Sequence, residues 1–274
     1  MTRKTSDQSV SKVLSIKKLS VERGGQRVLE NINLDIELGD FVGLVGPNGG
    51  GKTSLILAIL GILRPSNGTI KVFGETPRSP RTKGRIGWIP QAAAHLPKHL
   101  RVSVRELVGL GTLTFRDMFW PRNASHRERI ERAIQLVGLQ DVADQDVGRL
   151  SGGQRQRAVI AKGLASKAEF LLLDEPLVGV DRESRNEYLR FLDQLCHEEN
   201  LTLLMVSHDL AAIHQSAHRS VYLEGSIRFD GKSENMPDLS GLANLRGIQP
   251  VHGPEHDGHA PHHHDLKLQQ LEAE

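Results

Sequence analysis

A chain of 274 residues, 38% hydrophobic and 25% charged, carries enough apolar material for one large domain or two small ones. Its formal charge of +2, from 35 basic and 33 acidic residues, leaves no electrostatic footprint for nucleic acid, so no nucleic-acid partner is expected. Cys196 stands alone, which excludes an internal disulfide framework and suits a reducing compartment.

The opening MTRKTSDQSVSKV has no apolar stretch behind its basic residues and does not read as a secretory leader. NINLDIELGD then alternates Ile32, Leu34, Ile36 and Leu38 with polar neighbours, the period-two pattern of a half-buried strand, before a turn at Gly39-Asp40. FVGLV follows without alternation and reads as a strand buried on both faces. After a glycine-rich loop, TSLILAILGIL is apolar all round and predicts a buried helix ended by Pro65. Its longest apolar run, 55–63, spans roughly 14 Å as a helix, about half of a bilayer's hydrocarbon core. The stretch from 92 to about 150 changes texture, rich in Arg, Glu and Leu at helical spacing, and predicts an inserted helical subdomain. Within it Ile130, Ile134 and Val137 repeat at helical spacing and are expected to be core. EFLLLDEP and LTLLMVSHD are short buried-strand runs, each after a helical stretch, so a parallel α/β sheet is the economical architecture. SVYLEGSIRFDG at 220–231 predicts a closing hairpin that turns near Glu224-Gly225. Periodicity fades after about residue 235. Residues 236–274 are therefore expected to be a flexible tail.

GPNGGGKT, from Gly46 to Thr53, fits G-x-x-x-x-G-K-[ST] between a predicted strand and a predicted helix. The glycines let backbone amides turn inward around phosphate oxygens, and the helix start adds its positive dipole end. Gly46, Pro47, Asn48, Gly49, Gly50, Gly51, Lys52, Thr53 and Ser54 are the expected ATP contacts. Lys52 would reach the β and γ phosphates, and the Thr53 hydroxyl would ligate Mg2+. A glycine turn that merely joins strand to helix is the plainer alternative. Asp174 and Glu175 close the apolar run FLLLDEP, where one carboxylate can hold Mg2+ and the other can polarise a water.

LSGGQRQR at 150–157 resembles the signature motif of the ABC-type ATPases. Gln91 in IGWIPQ resembles the family's Q-loop, Asp181 in VGVD its D-loop, and His208 in VSHD its switch histidine. The resemblance covers roughly residues 12–235, with the motifs in family order. It implies an α/β P-loop NTPase fold with an antiparallel β subdomain and an inserted helical subdomain. It implies MgATP hydrolysis with Glu175 as general base, assisted by His208 and Gln91, and Mg2+ held through Thr53, Gln91 and Asp174. Leu150, Ser151, Gly152, Gly153 and Gln154 would contact the ATP seated on another copy's glycine loop, which makes the working form a dimer of this subunit. Arg23 stands where the family usually stacks an aromatic ring on adenine, and a guanidinium can stack on a purine face. Leu177 replaces a common Thr, and Gly163 interrupts a predicted helix at a cost of about 1 kcal/mol.

A single motif set without a membrane span looks like the separate ATPase subunit of an importer, peripheral on the cytoplasmic face of an inner or plasma membrane. RVSVRELVGLGTLTFRDMFWPRN is similar to the helical subdomain of importers for metal ions and metal chelates. The implied partners are an integral membrane permease dimer, received by the loops around Gln91 to His99, and indirectly an external metal-binding protein. His95 and His99 are read as surface residues. The tail VHGPEHDGHAPHHHD carries His252, His256, His259, His262, His263 and His264, interrupted by Gly and Pro that break any helix. Three or four neutral imidazoles on a flexible chain can wrap one Zn2+, so a zinc-handling tail stands beside a merely solvated one. Divalent metal import, with zinc favoured by the tail, is the expected function. The alternatives are an ATPase of a siderophore, haem or cobalamin importer and, from another class, a non-transport ABC ATPase.

Overall fold

The structure is a computed structural model that describes residues 12–91, 101–113, 124–178, 180–238 and 241–242. The chain divides into two units, Met1–Met236 and Pro237–Glu274. The six tail histidines, His95 and His99 lie outside the described residues.

The first unit opens with a three-stranded antiparallel sheet in the order β2-β1-β4, built from β1 (Lys12–Arg23), β2 (Gln26–Glu37) and β4 (Asn67–Val72). Gly24 and Gly25 join β1 to β2 with φ of 59° and 78°, the two positive values that a type I′ hairpin turn requires. Ile32, Leu34 and Ile36 are buried on β2, as their alternation predicts. On β1 the buried positions include both Ile16 and Leu19, three apart, because the pairing register shifts between them. Lys18, at φ 49°, absorbs the extra residue as a bulge and returns Leu19 to the core face.

The second sheet has six strands in the order β5-β6-β7-β3-β8-β9. Its members are β3 (Phe41–Val45), β5 (Ile86–Ile89), β6 (Phe170–Asp174), β7 (Thr202–Val206), β8 (Arg219–Glu224) and β9 (Ser226–Lys232). All neighbours are parallel except β8 and β9, which form a hairpin through Gly225 at φ 66°. Every residue of β3, β6 and β7 is buried, which explains why these strands read as unbroken apolar runs.

Helix α1 (Lys52–Ile59) follows β3 and ends earlier than Pro65 implies. Gly61, at φ 71°, donates its amide to the Ala58 carbonyl, while the Ile62 amide reaches back to Leu57 at 2.8 Å. That Schellman arrangement stops the helix on glycine, four residues before the proline, and leaves Ile62 on the surface.

The helical part of the unit comprises α2 (Val104–Gly109), α3 (Ala124–Leu136) and the long α4 (Gly152–Ala165), with α4 packed on both others. Ile130, Ile134 and Val137 are buried there, as expected of core positions. Gly163 has a packing reason: α4 crosses the sheet beside Gly87 of β5, and a Cβ at 163 would sit 3.1 Å from Leu171 Cδ2. The helix gives up about 1 kcal/mol of propensity for this close approach. Helices α5 (Arg182–Glu199) and α6 (Leu210–Ser216) complete the unit. Among the described residues, no helix is long and apolar enough to cross a membrane.

Candidate nucleotide site

Strands β3, β6 and β7 run parallel, so their carboxyl ends meet at one edge of the sheet, the usual ligand crevice of an open α/β fold. The glycine loop leaves β3 at that edge. Gly46, Gly49 and Gly51 take φ values of 153°, 80° and 97°, backbone that a side chain would strain. Space forbids one as well: a Cβ at Gly46 would lie 2.0 Å from the Leu223 carbonyl oxygen, and one at Gly51 would lie 2.5 Å from Leu29 Cδ2. The loop rests on the last hairpin. Gly225 donates its amide to the Gly50 carbonyl at 3.0 Å and accepts from the Glu30 amide at 2.8 Å.

Lys52 opens α1 and is only 7% exposed. Its ammonium donates to the Gly46 and Pro47 carbonyls, both at 2.9 Å, and so lies across the loop. Burial pushes its pKa below the usual lysine value, while Glu175 and Asp174 pull the other way. Asp174, at the end of β6, is 8% exposed, and burial and then the neighbouring Glu175 raise its carboxyl, against the opposing effects of Lys52 and the Thr53 hydroxyl. Lys52, Thr53, Asp174 and Glu175 therefore share one electrostatic neighbourhood.

Glu175 occupies the left-handed region at φ 52°, an arrangement that costs a non-glycine residue of order 1–3 kcal/mol and gathers at functional sites. Its amide donates to the Val206 carbonyl at 3.0 Å, which ties the turn after β6 to the end of β7. His208, just past β7, donates from Nδ1 to Glu175 Oε2 at 2.7 Å. The carboxylate side chain is 14% exposed and the imidazole 65% exposed, so the acid is held and the histidine faces solvent.

Ser151 caps α4. Its hydroxyl accepts from the Gln154 amide at 3.2 Å, and the Gln154 side chain accepts from the Ser151 amide at 3.0 Å. Leu150 is buried beneath this turn, while Ser151 and Gly152 are exposed and Gly153 is half-buried. A helix start presented in this way offers amides and a positive dipole end to a phosphate. Asp181 caps α5, accepting from the Ser184 amide at 3.0 Å, and that bond holds its carboxyl below the usual range. Gln91 is exposed two residues after β5, and Arg23 is exposed at the β1–β2 hairpin turn, with no ion-pair partner among the described residues.

Some connecting residues escaped the reading of the sequence. Gln156 donates from Nε2 to the Pro176 carbonyl and so joins the helix that Ser151 caps to the turn that carries Glu175. Arg185 of α5 pairs with Asp209, which caps α6 through the Ala212 amide beside His208. Gln156 lies within the LSGGQRQR string and Arg185 four residues after Asp181, and that placement is the signal that could have found them.

A nucleotide and its metal fit this arrangement. The cradle is one that a Cβ at Gly46 or Gly51 would fill, and a lysine, a hydroxyl and two carboxylates are grouped at its mouth.

The ABC transporter family profile matches residues 29–178. The zinc uptake system ATP-binding protein ZurA of Listeria innocua is 35% identical over 224 residues, spanning 82% of this chain and 87% of that protein. The high-affinity zinc uptake system ATP-binding protein ZnuC of Bacillus subtilis is 36% identical, over 72% of this chain and 84% of its own. Among solved structures, cbiO1 from Clostridium perfringens, part of the ABC transporter complex cbiONQ, superposes with a TM-score of 0.73. At 24% identity, over 86% of this chain and 96% of that one, it speaks to the fold alone.

Proposed function

The chain belongs to the ABC transporter ATP-binding family, and on that premise we propose that it is the ATP-hydrolysing subunit of a zinc importer. The substrate follows from the zinc uptake proteins to which it is similar. The permease partner, the cytoplasmic-face location and the indirect link to an external metal-binding protein follow from that reading.

One observation carries the chemistry: Glu175 is held between the end of β6 and His208, beside Asp174 and Lys52. The carboxylate takes a proton from the water that attacks the terminal phosphate, and His208 fixes the orientation of its Oε2 oxygen. Lys52, whose amine already spans the loop, meets the negative charge that grows on the transferred group. Thr53 and Asp174, with Gln91, hold Mg2+, which when bound neutralises phosphate charge. Ser151 to Gln154 of a second copy complete the site from across a dimer, with Asp181 at the same junction. The exposed Arg23 stacks on the base. The histidine-rich tail binds zinc weakly, a reading supported by its composition.

The test is Glu175→Gln. Loss of a general base slows hydrolysis by about 10²–10⁴-fold, and with MgATP the variant accumulates as a closed dimer in sedimentation velocity. A variant that hydrolyses at the parent rate, or one that stays monomeric under saturating MgATP with its permease present, overturns the reading.

A further inference from the structure

We propose that Asp193, His197 and His218 form a zinc-binding site at the end of the sheet remote from the nucleotide motifs. Asp193 and His197 stand one helical turn apart near the end of α5, and His218 immediately precedes β8. A nitrogen of each ring and a carboxylate oxygen of Asp193 all lie within 4.8 Å of one another. Asp193 Oδ1 is 3.0 Å from His218 Nε2 and 3.4 Å from His197 Nδ1, and the two rings meet edge to face with centroids 5.2 Å apart. Tetrahedral zinc with bonds of about 2.0–2.1 Å sets its ligand atoms roughly 3.3 Å apart, so two edges of the polyhedron are already at length. Two imidazoles and one carboxylate suit zinc better than the hard, oxygen-seeking cations. Asp193 also lines a cavity of about 170 Å³ between α5 and α6, with Gln215 and Ser216, which gives room for the water that completes four-coordination.

The proton inventory is closed. His197 Nδ1 now donates to the Asp193 carbonyl at 2.9 Å, and metal there moves its proton to the exposed Nε2. His218 Nδ1 accepts from the Phe41 amide at a long 3.3 Å, which makes Nε2 the nitrogen that donates to Asp193. Zinc on Nε2 shifts that proton to Nδ1, and the Phe41 contact is given up. The Phe41 amide, at the first residue of β3, thus becomes a reporter of occupancy.

The strands of the sheet are parallel here, so His218 stands at the amino end of β8 while the glycine loop leaves the carboxyl end of β3. Five residues of strand separate the two ends by about 16 Å. None of the three residues belongs to the nucleotide site, and the proposal stands on its own geometry, independent of the import reading.

The experiment uses the full-length chain with His252, His256, His259, His262, His263 and His264 replaced by Ser, titrated with zinc chloride against a chromophoric chelator. The parent chain binds additional, weaker zinc through its tail, and the serine variant keeps one equivalent. Adding His197→Ala, an exposed position, weakens that equivalent by more than about ten-fold and abolishes the zinc-dependent shift of the Phe41 amide in NMR spectra. Three results would each overturn the site: no uptake by the serine variant at about 100 µM zinc, uptake indifferent to His197→Ala, or a Phe41 amide that zinc leaves unmoved.

Discussion

Asp174 and Lys52 each hold a charge against burial, and the directions of their shifts set how they act on stability. Because the carboxyl pKa of Asp174 is raised in the fold, its charged form costs stability above that folded value, and the cost is relieved as pH falls through it. For Lys52 the pKa is lowered, so its cost applies below the folded value and is relieved as pH rises through it. Costs of this kind are expected where a site is built for a ligand rather than for rest. Asp174→Asn removes one of them. The nucleotide-free variant is expected to melt about 2–4 °C higher, while MgATP hydrolysis falls by about 10²-fold or more. Calorimetry beside an ATPase assay checks both, and an unchanged or lower melting temperature would count against the argument. At this scale the residue types and their spacing were plain in the chain, because glycine, lysine and paired carboxylates answer to phosphate and metal chemistry. What they do to one another was not. Glu175 takes a left-handed backbone and a bond from a histidine 33 positions away, and Gln156 bonds to Pro176, both of which depend on tertiary placement.

Elements differ in how openly they declare themselves. β2 alternates, and β3, β6 and β7 are continuous, so their periods identify both the strands and their burial. β1 is concealed by the bulge at Lys18, which breaks its period midway, β4 buries only Ile70 and Val72 fully, and β5 has just four residues. Proline was also the wrong stop for α1, since a glycine four residues earlier satisfies the orphan carbonyls first. Close approach explains another glycine. A Cβ at Gly111, just after α2, would lie 1.9 Å from the Lys162 carbonyl oxygen of α4, a backbone atom that cannot step aside. Gly111→Ala should therefore lower stability by about 3 kcal/mol by prising the end of α2 from α4. Urea unfolding should show a lower midpoint with an unchanged slope. A midpoint within error of the parent would mean that the helices separate at little cost.

Seen whole, the parallel α/β class was legible because helical and buried-strand patterns alternate along the chain. Strand order was not, since β3 pairs with β7 and β8, both more than 150 residues later, and no local pattern records that choice. Cys196 offers a probe of the whole unit. Its side chain is buried on α5, and burial, followed by Asp193 and Asp40, pushes the thiol far above its ordinary pKa. Such a thiol is inert until the unit opens. Labelling by a neutral maleimide should therefore follow global unfolding, and MgATP should slow it in proportion to occupancy. Labelling at the rate of a free thiol in native buffer would contradict that. One further consequence comes from the seam between the glycine loop and the β8–β9 hairpin, where Gly225 meets Gly50 and Leu223 leaves Gly46 no room for a side chain. A ribosome delivers the loop long before that hairpin, which comes at the end of the unit. A nascent chain thus carries the fuel-binding sequence long before it has the floor on which that sequence takes shape, and competence for nucleotide comes only after nearly all of the unit has been made.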